Sequence, residues 1–153
     1  MSRNNPETST PKSYRNIVIP TDGSDGARYA AEHGLTIAEK FGATVHAVSV
    51  IEEGGSVQRD QLRTSPEELA QEAVEQIEAE AKRRATDVQT ETLTGTPEES
   101  IIIYIEEQDA DMVVMSTHGR TGIEQVVFGS VTEEIVRNSP VPVLTVHPPQ
   151  WED

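Results

Sequence analysis

Short apolar runs alternate with longer segments of helical periodicity along this chain. Five runs are typical of β-strands: NIVIPT at 16–21, ATVHAVSVI at 43–51, DVQTETL at 87–93, DMVVMS at 111–116 and VPVLTV at 141–146. The third run alternates with many polar residues, as an edge strand does. Four segments between the strands carry apolar residues at helical spacing, so the pattern predicts five strands and four helices.

The predicted helices have recognisable start and stop signals. The first runs from Asp25 to Phe41 and ends at Gly42. The second starts at Ser65-Pro66-Glu67-Glu68 and continues to about Arg84, and the third follows Thr96-Pro97-Glu98-Glu99. Each of these two starts offers a capping hydroxyl, a proline at the first helical position and a glutamate three residues after the cap. The fourth helix is predicted over 130–138.

Strict alternation of strands and helices favours an α/β fold with an open parallel sheet. Such sheets bind ligands at the carboxyl ends of their strands, near the point where the strand order reverses. The sequence therefore predicts a site formed by the turns after Thr21, Ile51 and Ser116.

Acidic residues dominate the charge of the 153-residue chain. Its 12 Lys and Arg against 27 Asp and Glu give a formal net charge of -15, which disfavours binding to nucleic acid or anionic membranes. Most of the basic residues are Arg, and Glu is abundant in the helical segments. This pattern fits a protein kept soluble in high salt, as in a halophile, and equally an acidic cytosolic protein.

The remaining composition narrows the class of protein. The chain contains no cysteine, which excludes disulfides and thiolate chemistry. No apolar stretch approaches a membrane span, so we expect a cytoplasmic protein. We predict one domain over 14–148, with a flexible polar tail at 1–13 and a short C-terminal tail at 149–153.

Two glycines and a serine flank the predicted start of the last helix. Gly119 follows the fourth strand closely, and Gly129-Ser130 directly precedes the helix. A helix start offers unpaired N–H groups, and glycine lets a phosphate approach the backbone, so these residues could hold a polyphosphate. Alternatively, Ser130 and Glu133 form a capping box and Gly119 serves a turn.

The run STHGRTGIEQVVFGS at 116–130 resembles the nucleotide-binding signature of the universal stress protein family. That signature is Gly, two residues, Gly, nine residues, Gly, then Ser or Thr; Gly119, Gly129 and Ser130 fit it, whereas Ser116 replaces the first glycine. NIVIPTDGS, GTPEESI and NSPVPVLTV extend the resemblance over most of 14–147. If the first glycine is needed for close approach or positive φ, serine costs affinity and Ser116→Gly would strengthen binding. If only the backbone N–H is needed, serine supplies it.

The resemblance implies a five-stranded parallel sheet between helix layers, Rossmann-like and similar to the adenine nucleotide alpha hydrolases, with ATP across the strand ends. Asp22 would lie by the adenosine, Val50 would offer backbone contacts to adenine, and Gly119 would approach the ribose and phosphates. Gly129 and Ser130 would hold phosphates together with a magnesium ion. The full set implied to bind the cofactor is Pro20, Thr21, Asp22, Val50, Met115, Ser116, Gly119, Arg120, Gly129, Ser130, Val131 and Thr132.

Several of these residues also have simpler interpretations. Asp22 could serve a turn or a helix cap, Arg120 could lie in solvent, and His118 could be an ordinary loop histidine. The other histidines, His33, His46 and His147, form no spaced metal-binding motif. Ser130 has no base defined by the sequence, and neither a P-loop nor a dinucleotide fingerprint is present, so no catalytic or metal-binding residue is assigned.

Three functions remain compatible with the sequence. The first is a universal stress protein that binds ATP as a regulatory or stress-response module, with at most slow ATP hydrolysis. The second is a dimeric interaction protein of the same fold that binds no nucleotide, and the third is an enzyme that activates a substrate with ATP. An apolar last strand at a sheet edge, Val141 to Val146, favours a homodimer, since similar family members pair this strand with its copy.

Overall fold

Five parallel strands form one sheet with two helices on each face. The computed structural model describes residues 13–52, 64–118 and 128–149. In chain order the elements are β1 (Asn16–Pro20), α1 (Asp25–Phe41), β2 (Thr44–Glu52), α2 (Pro66–Arg83), β3 (Val88–Gly95), α3 (Pro97–Glu107), β4 (Met112–Ser116), α4 (Ser130–Asn138) and β5 (Val143–Val146). The tails expected at 1–13 and 149–153 fall largely outside the described residues, as do Gly119 and Arg120.

The strand order is β3-β2-β1-β4-β5, and all four pairings are parallel. β3 lies at one edge, as its alternating sequence predicts, and β5 lies at the other. The order reverses between β1 and β4, because the chain moves outward from β1 to β3 and then returns to place β4 on the other side of β1. This is the point at which open α/β sheets hold their ligands.

Two apolar cores lie on opposite faces of the sheet. Side chains of α1 and α2 cover Ile17, Ile19 and Val45 on one face, and side chains of α3 and α4 cover Val18, Val48 and Val113 on the other. Neighbouring strand residues point to opposite faces, so Ile17 and Val18 join different cores. The predicted open five-stranded α/β sheet with helices on both faces is confirmed.

The helix signals at Gly42 and Ser65 act as predicted, and the one at Thr96 does not. Gly42 ends α1 in the left-handed conformation, with φ 66°, and Ser65 and Glu68 form a reciprocal capping box at the start of α2. Thr96 is the N-cap of α3, but its side chain makes no capping hydrogen bond, so the predicted box is wrong there. The ψ of Thr96 is 124° against 159° at Ser65, and this rotation changes the direction of the hydroxyl relative to the helix start.

The last strand is shorter than predicted. It begins at Val143 rather than Val141, because Pro142 has no N–H for the ladder and the Ser139 hydroxyl holds Val141 in a turn. β1 likewise ends at Pro20 rather than Thr21. Within the described part of the chain, none of the helices is both long and apolar enough to cross a membrane.

His46 is a buried polar residue inside the sheet, 2 % exposed. Its Nε2 lies 2.9 Å from Asn16 Oδ1, which can only accept, so Nε2 carries the hydrogen and Nδ1 accepts from the Tyr104 hydroxyl at 3.1 Å. Burial lowers the pKa of His46. Burial, and secondarily the charge of Glu91, raises the pKa of Tyr104 to about 12, which keeps the phenol a donor.

We expect acidification to destabilise the fold through His46. A histidine whose pKa is lowered in the folded state contributes stability above its unfolded pKa and loses it as the pH falls through the folded value. The free energy of unfolding should therefore fall by up to about 1.4 kcal/mol for each pH unit below about 6.5. Urea unfolding between pH 7.5 and 5 measures this slope. His46→Gln should flatten it and His33→Gln, on exposed α1 surface, should not; equal slopes in all three proteins would contradict the prediction.

Candidate functional site

A cleft of about 320 Å³ opens at the carboxyl ends of the strands, beside the reversal point between β1 and β4. Four described segments supply its walls: the β1–α1 turn, the end of β2, the start of α3, and β4 with the start of α4. Its lining residues are Pro20, Thr21, Asp22, Ala27, Val48, Val50, Glu52, Pro97, Ile101, Met115, Ser116, His118, Gly129, Ser130, Val131 and Thr132.

The structure brings ten of the twelve site residues predicted from the sequence to this cleft. They are Pro20, Thr21, Asp22, Val50, Met115, Ser116, Gly129, Ser130, Val131 and Thr132. Gly119 and Arg120 lie outside the described residues. The ten come from both halves of the chain and meet because β1, β2 and β4 are adjacent and parallel.

The β1–α1 turn is held by its own hydrogen bonds. The Thr21 N–H donates to the Val48 carbonyl at 2.8 Å, which continues the pairing of β1 with β2 by one residue. The Asp22 carboxylate accepts from the Ser24 N–H at 2.9 Å, and Ser24 caps α1 by accepting from the Ala27 N–H at 3.2 Å. Asp22 thus shapes the turn while lining the cleft, and Ser24 rather than Asp22 is the helix cap.

One wall of the cleft is apolar. Pro20, Val48, Val50 and Met115 lie at the ends of three adjacent strands, and Ile101 faces them from α3. Val48, Ile101 and Met115 are buried members of the core shared with α3 and α4, and Val50 packs against that core. A flat apolar group can therefore contact a wall that the core itself holds in place.

Another part of the cleft wall is formed by the start of α4. Gly129 is its N-cap, with φ −75° and ψ 170°, and no side chain caps the helix. The interpretation of Ser130 as the capping residue is wrong, because Ser130 is already the first helical residue. The first N–H groups of a helix have no partner within it, and Gly129 places no Cβ in front of them. This wall offers donors and partial positive charge to the cleft.

Hydrogen bonds join the end of β4 to α4. The Gly129 N–H donates to the Thr117 carbonyl at 2.8 Å, and the buried Thr132 hydroxyl donates to the Ser116 carbonyl at 2.9 Å. The helix start is therefore fixed relative to the strand even though 119–127 lie between them in sequence.

Two histidines share one hydroxyl at the mouth of the cleft. The Thr117 hydroxyl lies 3.2 Å from His118 Nδ1 and 3.1 Å from His147 Nδ1, and the ring centroids are 6.0 Å apart. Since one hydroxyl can donate only once, at least one of the two rings must donate from Nδ1. His118 thus lines the cleft as part of a hydrogen-bonded group rather than as an isolated loop residue.

The described lining carries acidic side chains, Asp22 and Glu52, and neither lysine nor arginine. Within the same described residues, no group of three or more His, Asp or Glu could hold a metal ion.

Sequence reasoning missed several lining residues, namely Ala27, Val48, Glu52, Pro97 and Ile101. Val48 and Glu52 flank Val50 at alternate positions of β2, so the two-residue period of the strand could have identified them. Pro97 belongs to the predicted start of the third helix, and Ile101 follows it by about one turn. Their place at the cleft depends on α3 crossing to the face opposite α1, which the sequence pattern does not encode.

The model of the universal stress protein family matches residues 13–147, nearly the whole chain. The chain belongs to the universal stress protein family. It is 37% identical over 145 residues to universal stress protein MJ0531 of Methanocaldococcus jannaschii, covering 91% of this chain and 85% of that protein.

Solved structures of universal stress proteins share the fold. The structure of MJ0577 from the same archaeon is 29% identical, with a TM-score of 0.79 over 92% of this chain and 100% of that one. A universal stress protein solved in complex with cAMP is 25% identical, with a TM-score of 0.65 over 89% of this chain and 99% of that one. The five-stranded parallel arrangement is thus that of the universal stress proteins.

Proposed function

We propose that this universal stress protein binds ATP in the cleft and acts as a regulatory or stress-response module. The observation that carries the proposal is the pairing, within one cleft, of an apolar wall with the uncapped N-terminus of α4. A nucleotide has a flat base at one end and anionic phosphates at the other. The base is suited to the apolar wall and the phosphates are suited to the helix N-terminus.

The dimensions and chemistry of the cleft fit an adenine nucleotide. A volume of about 320 Å³ lies at the lower end of the range for ligand sites, about 300–1,000 Å³, which suits a ligand whose phosphates extend toward solvent. Val50 and Met115 would provide surface for the base, and the Asp22 carboxylate would accept from ribose hydroxyls. The backbone at the end of β2 is available to the base edge.

The phosphates would lie at α4. Ser130, Val131 and Thr132 line the cleft at the start of α4, where the first N–H groups have no partner within the helix and the dipole is positive. Magnesium would be held chiefly by phosphate oxygens and water, the ligands that it prefers, since the described lining has no cluster of acidic residues for it. We expect any ATP hydrolysis to be slow.

The universal stress protein that was solved with cAMP supports an adenine nucleotide as the ligand class, since its fold covers most of this chain. The triphosphate is proposed rather than a cyclic monophosphate because Gly129 and Ser130, at the start of α4, match the nucleotide signature. The cytoplasmic location expected from the sequence stays a prediction.

Equilibrium binding of ATP, ADP and AMP to the purified protein, with and without magnesium and at low and high salt, tests the proposal. We expect affinity to fall from ATP to AMP, because each phosphate removed gives up contacts at α4, and magnesium to favour ATP most. Absence of binding in every condition would rule out the proposed function and favour a nucleotide-free interaction protein. Substrate-dependent release of pyrophosphate would instead favour an activating enzyme.

We also propose a homodimer formed through β5. The carbonyls of Pro142 and Val146 accept from β4, so the backbone groups of the alternate residues Val143 and Thr145 point to the open edge. Leu144 is 39% exposed beside that edge, and Val136 of α4 is 41% exposed. Pairing with the same strand of a second subunit would give these backbone groups hydrogen-bond partners and would cover the two exposed side chains.

Sedimentation over a range of protein concentrations tests the dimer. Thr145→Pro removes an N–H that points to the open edge and leaves the hydrogen bonds to β4 in place, so this variant should sediment as a monomer with a native circular dichroism spectrum. A monomeric wild-type protein at all concentrations, or a Thr145→Pro variant as dimeric as the wild type, would contradict pairing through β5.

A further inference from the structure

Ser116 occupies the first glycine position of the nucleotide signature, and the structure shows how its side chain is accommodated. It is the last residue of β4 and is 6% exposed. Within the described residues, the non-glycine positions with positive φ are Ala85 and Asp109, so Ser116 has ordinary backbone geometry. Glycine is not required at this position for its conformational freedom.

The Ser116 hydroxyl is used by the turn that leaves the strand. Its Oγ accepts a hydrogen bond from the His118 N–H at 3.3 Å. Serine often forms a turn of this kind through its own side chain. The Ser116 carbonyl accepts from the Thr132 hydroxyl at 2.9 Å. Ser116 is therefore hydrogen-bonded through its side chain to His118, which lines the cleft, and through its carbonyl to Thr132 in the first turn of α4.

Gly26 provides the space for this hydroxyl. A Cβ added at Gly26, in the first turn of α1, would lie 3.1 Å from Ser116 Oγ, closer than ordinary carbon–oxygen contact. The next nearest atom, Pro148 Cγ, would be at 3.4 Å, an ordinary contact. The crowding at Gly26 thus comes from the Ser116 hydroxyl in particular.

We propose that Ser116 is a positioning residue of the nucleotide site and that Gly26 is its steric partner. The inference rests on the proposed function. A glycine at this position would be flexible, whereas the Ser116 hydroxyl fixes the turn to His118. The fixed turn also holds the Ser116 carbonyl that accepts from Thr132, and so keeps the start of α4 in position to bind phosphates. Ser116 thus supports ATP binding, and replacing it by the signature glycine should weaken binding rather than strengthen it.

Titration of ATP into a set of variants tests the inference. Ser116→Ala and Ser116→Gly should each bind ATP about 3–10-fold more weakly than the wild type, the effect of losing the one hydrogen bond that fixes the turn between Ser116 and His118. Gly26→Ala should weaken binding about as much, because its methyl group displaces Ser116 Oγ. In the Ser116→Ala background the same Gly26→Ala change should alter affinity less than about 2-fold, because the atom it would displace is gone.

Ser139 gives a matched control. Its Oγ also accepts from the N–H two residues later, at Val141, with a distance of 3.1 Å, but it lies at the C-terminal end of α4, before β5 begins, at the end of the sheet away from the cleft. Ser139→Ala should lower the unfolding midpoint about as much as Ser116→Ala and leave ATP affinity unchanged. Equal ATP affinities for these two variants would overturn the positioning role.

The two proposals fail in different ways. Failure of the wild type to bind ATP would remove the proposed function, and the inference with it. Tighter ATP binding by Ser116→Gly than by the wild type would leave the proposed function intact and overturn the inference alone. Hydrogen exchange of the His118 amide in nucleotide-free protein adds an independent readout: Ser116→Ala should accelerate it and Ser139→Ala should not, and unchanged exchange in Ser116→Ala would overturn the inference.

Discussion

Gly129→Asp should weaken ATP binding by about 10–100-fold while leaving the fold intact. The backbone at Gly129, φ −75° and ψ 170°, suits any residue, and aspartate is a preferred N-cap, so the helix should keep or gain stability. Its carboxylate would accept from the N–H groups that phosphates need and would repel the phosphates. Two unit charges about 4 Å apart interact by about 4 kcal/mol near a protein surface, enough for the expected loss after partial screening.

Gly129→Asn separates the two causes of this loss. Asparagine has nearly the same shape and caps helices as well as aspartate, but it carries no charge. It should compete for the same N–H groups and weaken ATP binding less than aspartate does. Calorimetric titration of both variants at low and high salt measures the difference, which should shrink at high salt. ATP affinities equal to that of the wild type in both variants would exclude α4 as the phosphate site.

The sequence predicted the elements of the fold well because local physics determines them. Gly42 ends α1 and Ser65 begins α2 as expected, since caps depend on residues within one turn. It did not predict the strand order, which depends on α3 crossing to the opposite face of the sheet. Phe41 continues the helical spacing of apolar residues in α1, yet it is 51% exposed and meets Tyr14 edge to face.

The candidate site was predictable where residues follow a strand end. Asp22 lies just after β1 and Ser116 is the last residue of β4, and the parallel sheet brings them to one cleft. The partners of Ser116 were not predictable. Gly26 is a helical glycine without a sequence signal for contact, and the bond from Thr132 to the Ser116 carbonyl spans 16 residues. Such pairings arise from packing between distant segments, which leaves no local signal in the sequence.

Gly34→Ala should destabilise the protein by about 1–3 kcal/mol, although alanine is the better helix former by about 1 kcal/mol. Gly34 is buried in α1 against β1 and β4. A Cβ there would lie 2.6 Å from Ile19 Cδ1, 3.2 Å from Ile19 Cγ1 and 3.4 Å from Val114 Cβ. Ile19 is 0% exposed and lies in the core beneath α1, so its terminal methyl group has little room to move.

A double-mutant cycle with Ile19→Val assigns this loss to one methyl group. Ile19→Val removes Cδ1 and should alone cost about 0.5–1.5 kcal/mol, but it opens the space that the Gly34→Ala methyl needs. The double variant should therefore be at least about 1 kcal/mol more stable than the sum of the single losses predicts, as measured by urea unfolding. Ile17→Val is the matched control, because Ile17 is equally buried on the same face of β1 and is not among the atoms nearest a Cβ at Gly34. Its loss should add to that of Gly34→Ala, and additivity in both cycles would show that Ile19 Cδ1 is not what excludes a side chain at Gly34.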